Sequence, residues 1–277
     1  MRRSAIAVAV LLTSGAAGIA VATGGGASRP ALEVQDSSPS ARPSTTPGGG
    51  EKIAVGLGAN VEGHRPDHTA GQWSTYADHV VVATVIADVD SHPVHENGGH
   101  GWYDRKVTLK VDEVLWSNSR AAKSVPTTFT HPGWGYLFTG GDPAKRTKWA
   151  IQDWPRIELG HRYILAIAWE PARCSPGDLP APGRWNSLGS DSVIPYDGPV
   201  IGTGEMSGSR QDAEQARAAL DPAAPNRSLE DEMLGRTTAD LRNALRSAIP
   251  VPAQEYSVGT ACAGSVTSAP RIPSVGR

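Results

Sequence analysis

Alternating apolar and polar positions mark the most regular part of the chain. Residues 79–89 are rich in β-branched side chains and carry valine or alanine at every second position from 81 to 89. Over residues 106–114 apolar side chains alternate with lysine, threonine and aspartate. A period of two predicts β-strands, and the second pattern is typical of a half-buried antiparallel strand. The continuous apolar run at 163–169 predicts a fully buried strand. Shorter strands are predicted at 126–130, 193–195 and 199–201.

A helical pattern replaces the strands after residue 205. Residues 212–220 are rich in alanine, Ser228 precedes a run of acidic residues as a helix N-cap does, and residues 238–248 repeat leucine every fourth position. The sequence therefore predicts a β domain over 51–205 and a helical extension with a C-terminal tail over 206–277. A short helical turn is predicted at 73–78, and long loops at 90–102 and 133–155.

The N-terminal segment predicts export. Arg2 and Arg3 precede an uncharged, largely apolar run at 4–22 that ends in Ala-Val-Ala, and this order is typical of a signal peptide. The run is also just long enough to cross a membrane, so residues 1–22 are either a cleaved signal or an anchor, and in the second case 4–22 make the only membrane contact. Residues 23–50, rich in Gly, Pro, Ser and Thr, predict a disordered linker.

Composition and charge narrow the class of protein. The chain has 277 residues, 39% of them apolar, which is enough for a real core. Its net charge is -2 and its pI is about 6.4, whereas a nucleic-acid-binding domain normally carries a basic patch. We therefore expect no nucleic-acid partner.

Three strand patterns carry a family resemblance. The segments YADHVVVATVIADV, KVTLKVDEVLW and LGHRYILAIAW follow one another between residues 76 and 169. In this order they resemble the netrin-module and tissue-inhibitor-of-metalloproteinase-like domains, and over most of its length the chain resembles exported actinobacterial proteins. The resemblance implies a mainly β fold, an OB-like antiparallel β-barrel, here with a helical C-terminal extension. Inhibitory members begin with Cys-x-Cys, but no cysteine precedes position 174 here, so inhibition does not carry over.

The two cysteines, Cys174 and Cys262, both lie in segments rich in glycine, proline or small residues. In an exported protein two lone cysteines most often pair. We therefore predict a Cys174–Cys262 disulfide that holds the tail beside the β domain, with two free thiols as the alternative.

A histidine-rich loop is the candidate metal site. His92, His95 and His100 crowd the segment SHPVHENGGHGW, beside further acidic residues. Imidazole and carboxylate groups are zinc ligands, but HENGGH is not the HExxH motif of zinc proteases. A solvated loop explains the cluster more simply than a zinc site does.

Tryptophan is unusually frequent, with eight residues against two phenylalanines. Five of them are predicted in or beside loops, where exposed indoles stack on sugars or anchor a protein partner. The other interpretation, which the sequence alone favours, is that they cap the core of a small barrel. They are Trp102, Trp116, Trp134, Trp149 and Trp154.

No nucleophile motif, P-loop or dinucleotide-binding glycine pattern is present in the sequence. The sequence therefore favours an exported or surface-anchored, non-catalytic binding protein whose partner is a protein or glycan of the cell envelope. The alternatives are a metal-dependent hydrolase that uses the loop from His92 to His100, and a purely structural envelope protein.

Overall fold

Of the predicted strands, those at 79–89, 106–114, 126–130, 163–169 and 193–195 form, and most of them run further. Six other strands were not predicted. The computed structural model describes residues 52–56, 65–96, 98–174, 181–220 and 227–254, which lie within the compact unit Leu32–Arg277. The strands are β1 (Ile53–Gly56), β2 (His79–Asp90), β3 (Val94–His95), β4 (Gly101–Ser117), β5 (Thr128–Phe138), β6 (Arg146–Ile151), β7 (Arg162–Glu170), β8 (Arg184–Ser187), β9 (Val193–Pro195), β10 (Gly204–Met206) and β11 (Ser209–Gln211). The helices are α1 (Ala70–Tyr76), α2 (Ala213–Ala219), α3 (Leu229–Met233) and α4 (Thr238–Ser247), with a 3-10 turn at Ser190–Ser192.

Nine of these strands form one large mixed sheet. Its order is β1-β6-β5-β4-β2-β7-β8, with β3 paired to β4 and β9 paired to β7. Every pairing is antiparallel except that of β1 with β6. The fold is thus mainly β with few helices, as predicted. The pairings among the described strands leave this sheet open, so its closure into an OB-like barrel remains a prediction.

The central strands are buried on both faces, which explains the continuous apolar run of β7. Ile164, Ala166 and Ala168 pack with α1, α3 and α4 on one side of the sheet. Their neighbours Tyr163 and Leu165 pack on the other side of the sheet. Because alternate residues of a strand point to opposite faces, a strand covered on both sides needs apolar residues throughout.

The predicted loop at 133–155 is wrong, because it contains the end of β5 and all of β6. A glycine in this segment lets two strands approach each other. At Gly135 a Cβ atom would overlap the carbonyl oxygen of Tyr103 on β4, where the β4–β5 register shifts. The predicted strand at 199–201 is also wrong, since these residues form bends and a turn.

A bulge also changes the face of one predicted position. Val85 and Val89 were expected on the same face of β2, but the register with β4 shifts between Val85 and Ala87. As a result Val85 is buried, whereas Val89 is 63% exposed.

The helix α3 begins after its predicted cap, Ser228. The side chain of Ser228 accepts a hydrogen bond from the backbone N–H of Asp231, and Asp212 caps α2 in the same way. The last helix, α4, buries Leu241 and Leu245 against the sheet. The C-terminal helices therefore belong to the same core as the strands.

Three predictions concern residues outside the described part. The export segment at 1–22, the linker at 23–50 and Cys262 all lie there, so export and the disulfide remain predictions. Within the described residues no helix is long and apolar enough to cross a membrane.

Candidate functional site

The histidine-rich loop does not gather a set of metal ligands. His95 lies on β3, with its ring edge-on to Phe138 at a centroid distance of 5.1 Å, while His92 and His100 are exposed. Among the residues that the structure describes, no three His, Cys, Asp or Glu side chains are placed to hold a metal ion. A zinc site at these histidines stays a prediction from the sequence.

Four of the five singled-out tryptophans are associated with one face of the sheet. Trp102 on β4 pairs with Leu137 on β5, which pairs with Thr147 on β6. Trp149 is two positions beyond Thr147 and so shares that face. The ring of Trp134 contacts that of Trp149, and the ring of Trp154 contacts that of Trp134. We call Trp102, Trp134, Trp149 and Trp154 the tryptophan face.

Three of these indoles form a tight cluster. The central ring is that of Trp134, which meets Trp149 edge to face at 5.1 Å and Trp154 in a tilted contact at 5.9 Å. Edge-to-face contacts at this distance are favourable for aromatic rings. Trp149 is buried, whereas Trp134 and Trp154 are half-buried and keep part of each ring accessible. The fifth tryptophan, Trp116, packs instead against the core next to the helices.

Two buried arginines hold the backbone beneath this face. Arg105 donates from Nε to the carbonyl oxygen of Trp134 at 2.7 Å. Arg156 donates from Nε to the carbonyl oxygen of Trp149 at 3.0 Å. Both side chains are shielded from solvent, with 2% and 0% of each residue exposed. Each arginine thus fixes the main chain at one tryptophan of the face.

The remaining nitrogens of the two guanidinium groups are also bonded. Arg105 forms an ion pair with Asp88 at 2.5 Å and donates to the carbonyl oxygen of Arg156 at 2.8 Å. Arg156 donates to the carbonyl oxygen of Gly135 at 2.6 Å and forms an ion pair with Glu158. Burial alone would raise the pKa of Glu158, but the charge and hydrogen bond of Arg156 lower it below its ordinary value.

A buried carboxylate completes this network. Glu205 on β10 accepts hydrogen bonds from the backbone N–H groups of Arg156 at 2.9 Å and Ile157 at 3.0 Å, and from the hydroxyl of Tyr163 at 2.7 Å. Burial, together with the neighbouring Glu205, raises the pKa of Tyr163. Tyr163 therefore stays protonated and donates to Glu205.

The third tryptophan of the cluster is held by the β10–β11 turn. The backbone N–H of Ser207 donates to the carbonyl oxygen of Trp154 at 3.0 Å. The Ser207 hydroxyl accepts from the N–H of Asp153 at 2.9 Å. The carbonyl oxygens of Trp134, Trp149 and Trp154 therefore all accept hydrogen bonds from residues that are not their neighbours in the sequence.

Backbone strain is concentrated at the same place. Asp153, Ile157 and Ser207 have φ of 60°, 62° and 53°, and they are the non-glycine residues with positive φ in the described chain. This conformation costs on the order of 1–2 kcal/mol for an L-residue and is a genuine outlier for β-branched isoleucine. Strain that persists through over-determined surroundings is typical of functional sites.

The sequence indicated the tryptophans but not what positions them. Arg105 lies between Tyr103 and Val107 in the series of buried positions on β4. A charged residue in an otherwise apolar series was the signal that could have indicated a buried, bonded arginine. Glu205 lies in a segment of glycine and small residues without such a pattern, so its role could only be found from the structure.

Two other polar groupings join distant residues. His161 shares a hydrogen bond with Asp197 at 2.5 Å through Nδ1. His68 meets Asp191 at 2.9 Å, and burial followed by the charge of Asp191 raises the pKa of Asp67 to about 7. Such histidine–carboxylate pairs can hold or move a proton.

Comparison with known proteins identifies no relative. No protein-family model, curated protein or solved structure matches this chain. Arguments about its function therefore depend on its own residues.

Proposed function

We propose that the protein is an exported or surface-anchored, non-catalytic binding protein that contacts its ligand through the tryptophan face. The observation that carries the proposal is the fixed backbone of this face. Arg105, Arg156 and Ser207 bond the carbonyl oxygens of three tryptophans whose rings touch. A rigid aromatic group binds at a lower entropic cost than a mobile one.

The alternative, that these indoles only cap the core, explains the burial of Trp149 but not the rest. The core clusters on the two sides of the central strands are filled by other residues. None of the four residues of the tryptophan face belongs to either cluster. Capping also gives no reason for three strained residues around Trp154. A preorganised ligand-contact surface explains both the position of these tryptophans outside the core clusters and the strained residues around them.

A glycan is the ligand that this face suits best. Trp134 and Trp154 are partly accessible, and Gln152 and Asp153 beside them are exposed polar residues. Indole rings stack on the apolar faces of sugar rings while polar neighbours bond the hydroxyl groups. Protein–protein hot spots, by contrast, are surrounded by contacts that exclude water, whereas Gln152 and Asp153 beside this face are exposed and polar.

A finer description of the fold belongs to the same proposal. We infer that β5, β4, β2, β7 and β8 form an OB-like, partly open barrel. Its support is that the outer strands approach each other, since Nε2 of His131 on β5 lies 3.1 Å from the hydroxyl of Ser187 on β8. An experimental structure in which β5 and β8 lie on opposite edges of a flat sheet would refute the barrel.

The binding proposal is tested with the full chain and purified cell-envelope polysaccharide. Binding is measured by co-sedimentation and by quenching of tryptophan fluorescence. We expect Trp154→Ala and Trp134→Ala to weaken binding at least tenfold, about 1.4 kcal/mol, with the far-UV circular dichroism unchanged. The control is Trp116→Ala, which removes an indole packed near the helices and should leave the affinity unchanged.

Three outcomes would contradict it. If Trp154→Ala, Trp134→Ala and Trp116→Ala all bind the polysaccharide with the same affinity, the tryptophan face is not the binding site. An absence of glycan binding together with capture of an envelope protein that Trp154→Ala abolishes would replace the glycan by a protein partner. Turnover of a glycan by the wild-type chain would make it an enzyme.

A further inference from the structure

A cavity lies between α2 and α3, away from the tryptophan face. Its volume is about 770 Å³, within the range of roughly 300–1,000 Å³ common for small-molecule sites. Three arginines contribute to its lining, namely Arg217 on α2, Arg227 before α3 and Arg236 after it. A single inorganic ion would occupy only a small part of this volume.

Two of these guanidinium groups are oriented by the backbone. Arg217 donates from Nε to the carbonyl oxygen of Leu234 at 3.0 Å, and Arg236 donates from Nε to that of Glu232 at 2.8 Å. These carbonyl groups lie at the end of α3, where the helix leaves them without an internal partner. The terminal nitrogens of both arginines make no hydrogen bond or ion pair with the described residues.

A glycine makes room for this arrangement. Gly235 has φ of +71°, and a Cβ atom there would overlap the guanidinium group of Arg217. The left-handed backbone favours glycine at this position. The absence of a side chain at Gly235 leaves the space that the guanidinium group of the exposed Arg217 occupies.

The rest of the lining combines negative and apolar groups. Asp231 accepts a hydrogen bond from the backbone N–H of Ser228 and is committed to capping α3, while Glu232 is exposed. The apolar side chains of Leu220, Met233 and Leu234 line the cavity too. With three arginines against two acids, the formal charge of the lining is +1.

We propose that this cavity binds an organic phosphate. Planar guanidinium groups form paired hydrogen bonds with phosphate oxygens, and the apolar side chains would contact the organic part of the ligand. The same chemistry occurs in a soluble sugar phosphate and in the headgroup of an anionic lipid.

The test uses the full chain and isothermal titration. The probes are glucose 6-phosphate, glucose, inorganic phosphate and vesicles of phosphatidylglycerol. We expect glucose 6-phosphate or the vesicles to bind, and whichever binds identifies the source of the phosphate. Glucose should not bind, and inorganic phosphate should bind at least tenfold more weakly than the better probe.

Arginine variants then locate the site. Arg227→Gln is the deciding change, because no hydrogen bond or ion pair of Arg227 is found among the described residues, so it should fold normally and bind at least tenfold more weakly. Arg217→Lys keeps the charge without the planar fork and should also weaken binding. Arg246→Gln, an exposed change on α4, is the matched control and should bind as the wild type does.

The proposal is overturned if neither phosphate probe binds. It is equally overturned if Arg227→Gln binds as tightly as the wild type, or if Arg246→Gln weakens binding as much as Arg227→Gln, since the attraction would then be a general charge effect.

Discussion

Arg105 and Trp134 are joined by a hydrogen bond of 2.7 Å from the buried guanidinium Nε to the main-chain carbonyl oxygen. The arginine lies on β4 and the tryptophan on β5, at the irregularity where the register of the two strands shifts. An irregular strand leaves carbonyl groups without a ladder partner, and a buried unpaired group is costly. The arginine side chain supplies that missing donor and so links a charge in the interior to an indole at the surface.

Replacing Arg105 should therefore affect stability and binding together. Arg105→Met removes the guanidinium partner of Asp88 and of the carbonyl oxygens of Trp134, Arg156 and Ile157. We expect a loss of about 3–5 kcal/mol in the free energy of unfolding, the usual cost of breaking a buried ion pair. Urea unfolding measures it. Lys106→Met, at the exposed neighbouring position, should change stability by less than about 0.5 kcal/mol. Equal effects of the two changes would contradict the assigned network.

The sequence predicted the parts of the fold that depend on regular alternation. Val107 and Leu109 are buried and Lys106 and Lys110 are exposed, as the pattern of β4 required. The pattern failed where glycine permits close approach rather than a turn, as at Gly135.

The candidate site could be predicted only in part for a similar reason. Tryptophan is conspicuous in a sequence, so the residues of the face were singled out. Their supports are contacts between distant positions, such as Arg156 with Gly135 and Tyr163 with Glu205. The alternation of residues within one strand cannot predict such pairings, because they join residues of different elements that the tertiary fold brings together.

Gly135 offers a direct test of the close approach between β4 and β5. In Gly135→Ala the new methyl group would overlap the carbonyl oxygen of Tyr103, so we expect a drop in melting temperature of 10 °C or more, on the order of 3 kcal/mol for a domain of this size. The control is Gly140→Ala, because Gly140 has φ of +71° but open space around it. It should cost only about 1–2 kcal/mol of strain. A larger loss at Gly140 would refute the explanation.

Backbone strain beside Trp154 can be relieved at Asp153. Its φ is 60° and its side chain is exposed, so Asp153→Gly removes strain without removing a packed group. We expect a gain of roughly 0.5 kcal/mol, the strain relief being partly offset by the greater freedom of glycine in the unfolded chain. Gln152→Gly, at an exposed neighbour with ordinary φ, should instead destabilise by about 0.5–1 kcal/mol. Melting curves of the two variants should thus shift in opposite directions.

The disulfide prediction is open to a chemical test. Exported protein alkylated without reduction should gain no mass at Cys174 or Cys262, and Cys174→Ser should lower the melting temperature. Adding Cys262→Ser to that variant should change almost nothing, because a single cross-link is already lost. Two alkylated thiols in the native protein would establish the alternative of free cysteines.

Stability should fall as the pH rises toward neutrality, because of the carboxyl group of Asp67. Burial and then the neighbouring Asp191 raise its pKa from 3.8 to about 7, and one of its oxygens is buried without a hydrogen-bond partner. The folded state therefore binds this proton more tightly than the unfolded state, so the stabilisation is complete below about pH 4 and is lost progressively up to about pH 7. Glu230, whose pKa burial also raises, acts in the same direction.

Substitution of Asp67 isolates this contribution. Asp67→Asn cannot ionise, so we expect it to be more stable than the wild type at pH 8 by roughly 1–4 kcal/mol and to lose this advantage at pH 4. Urea unfolding at pH 4, 6 and 8 measures the difference. Glu214→Gln, an exposed change on α2, serves as the control and should leave the pH profile of the wild type intact. A difference between Asp67→Asn and the wild type that is the same at pH 4 and pH 8 would show that Asp67 does not titrate as its buried position requires.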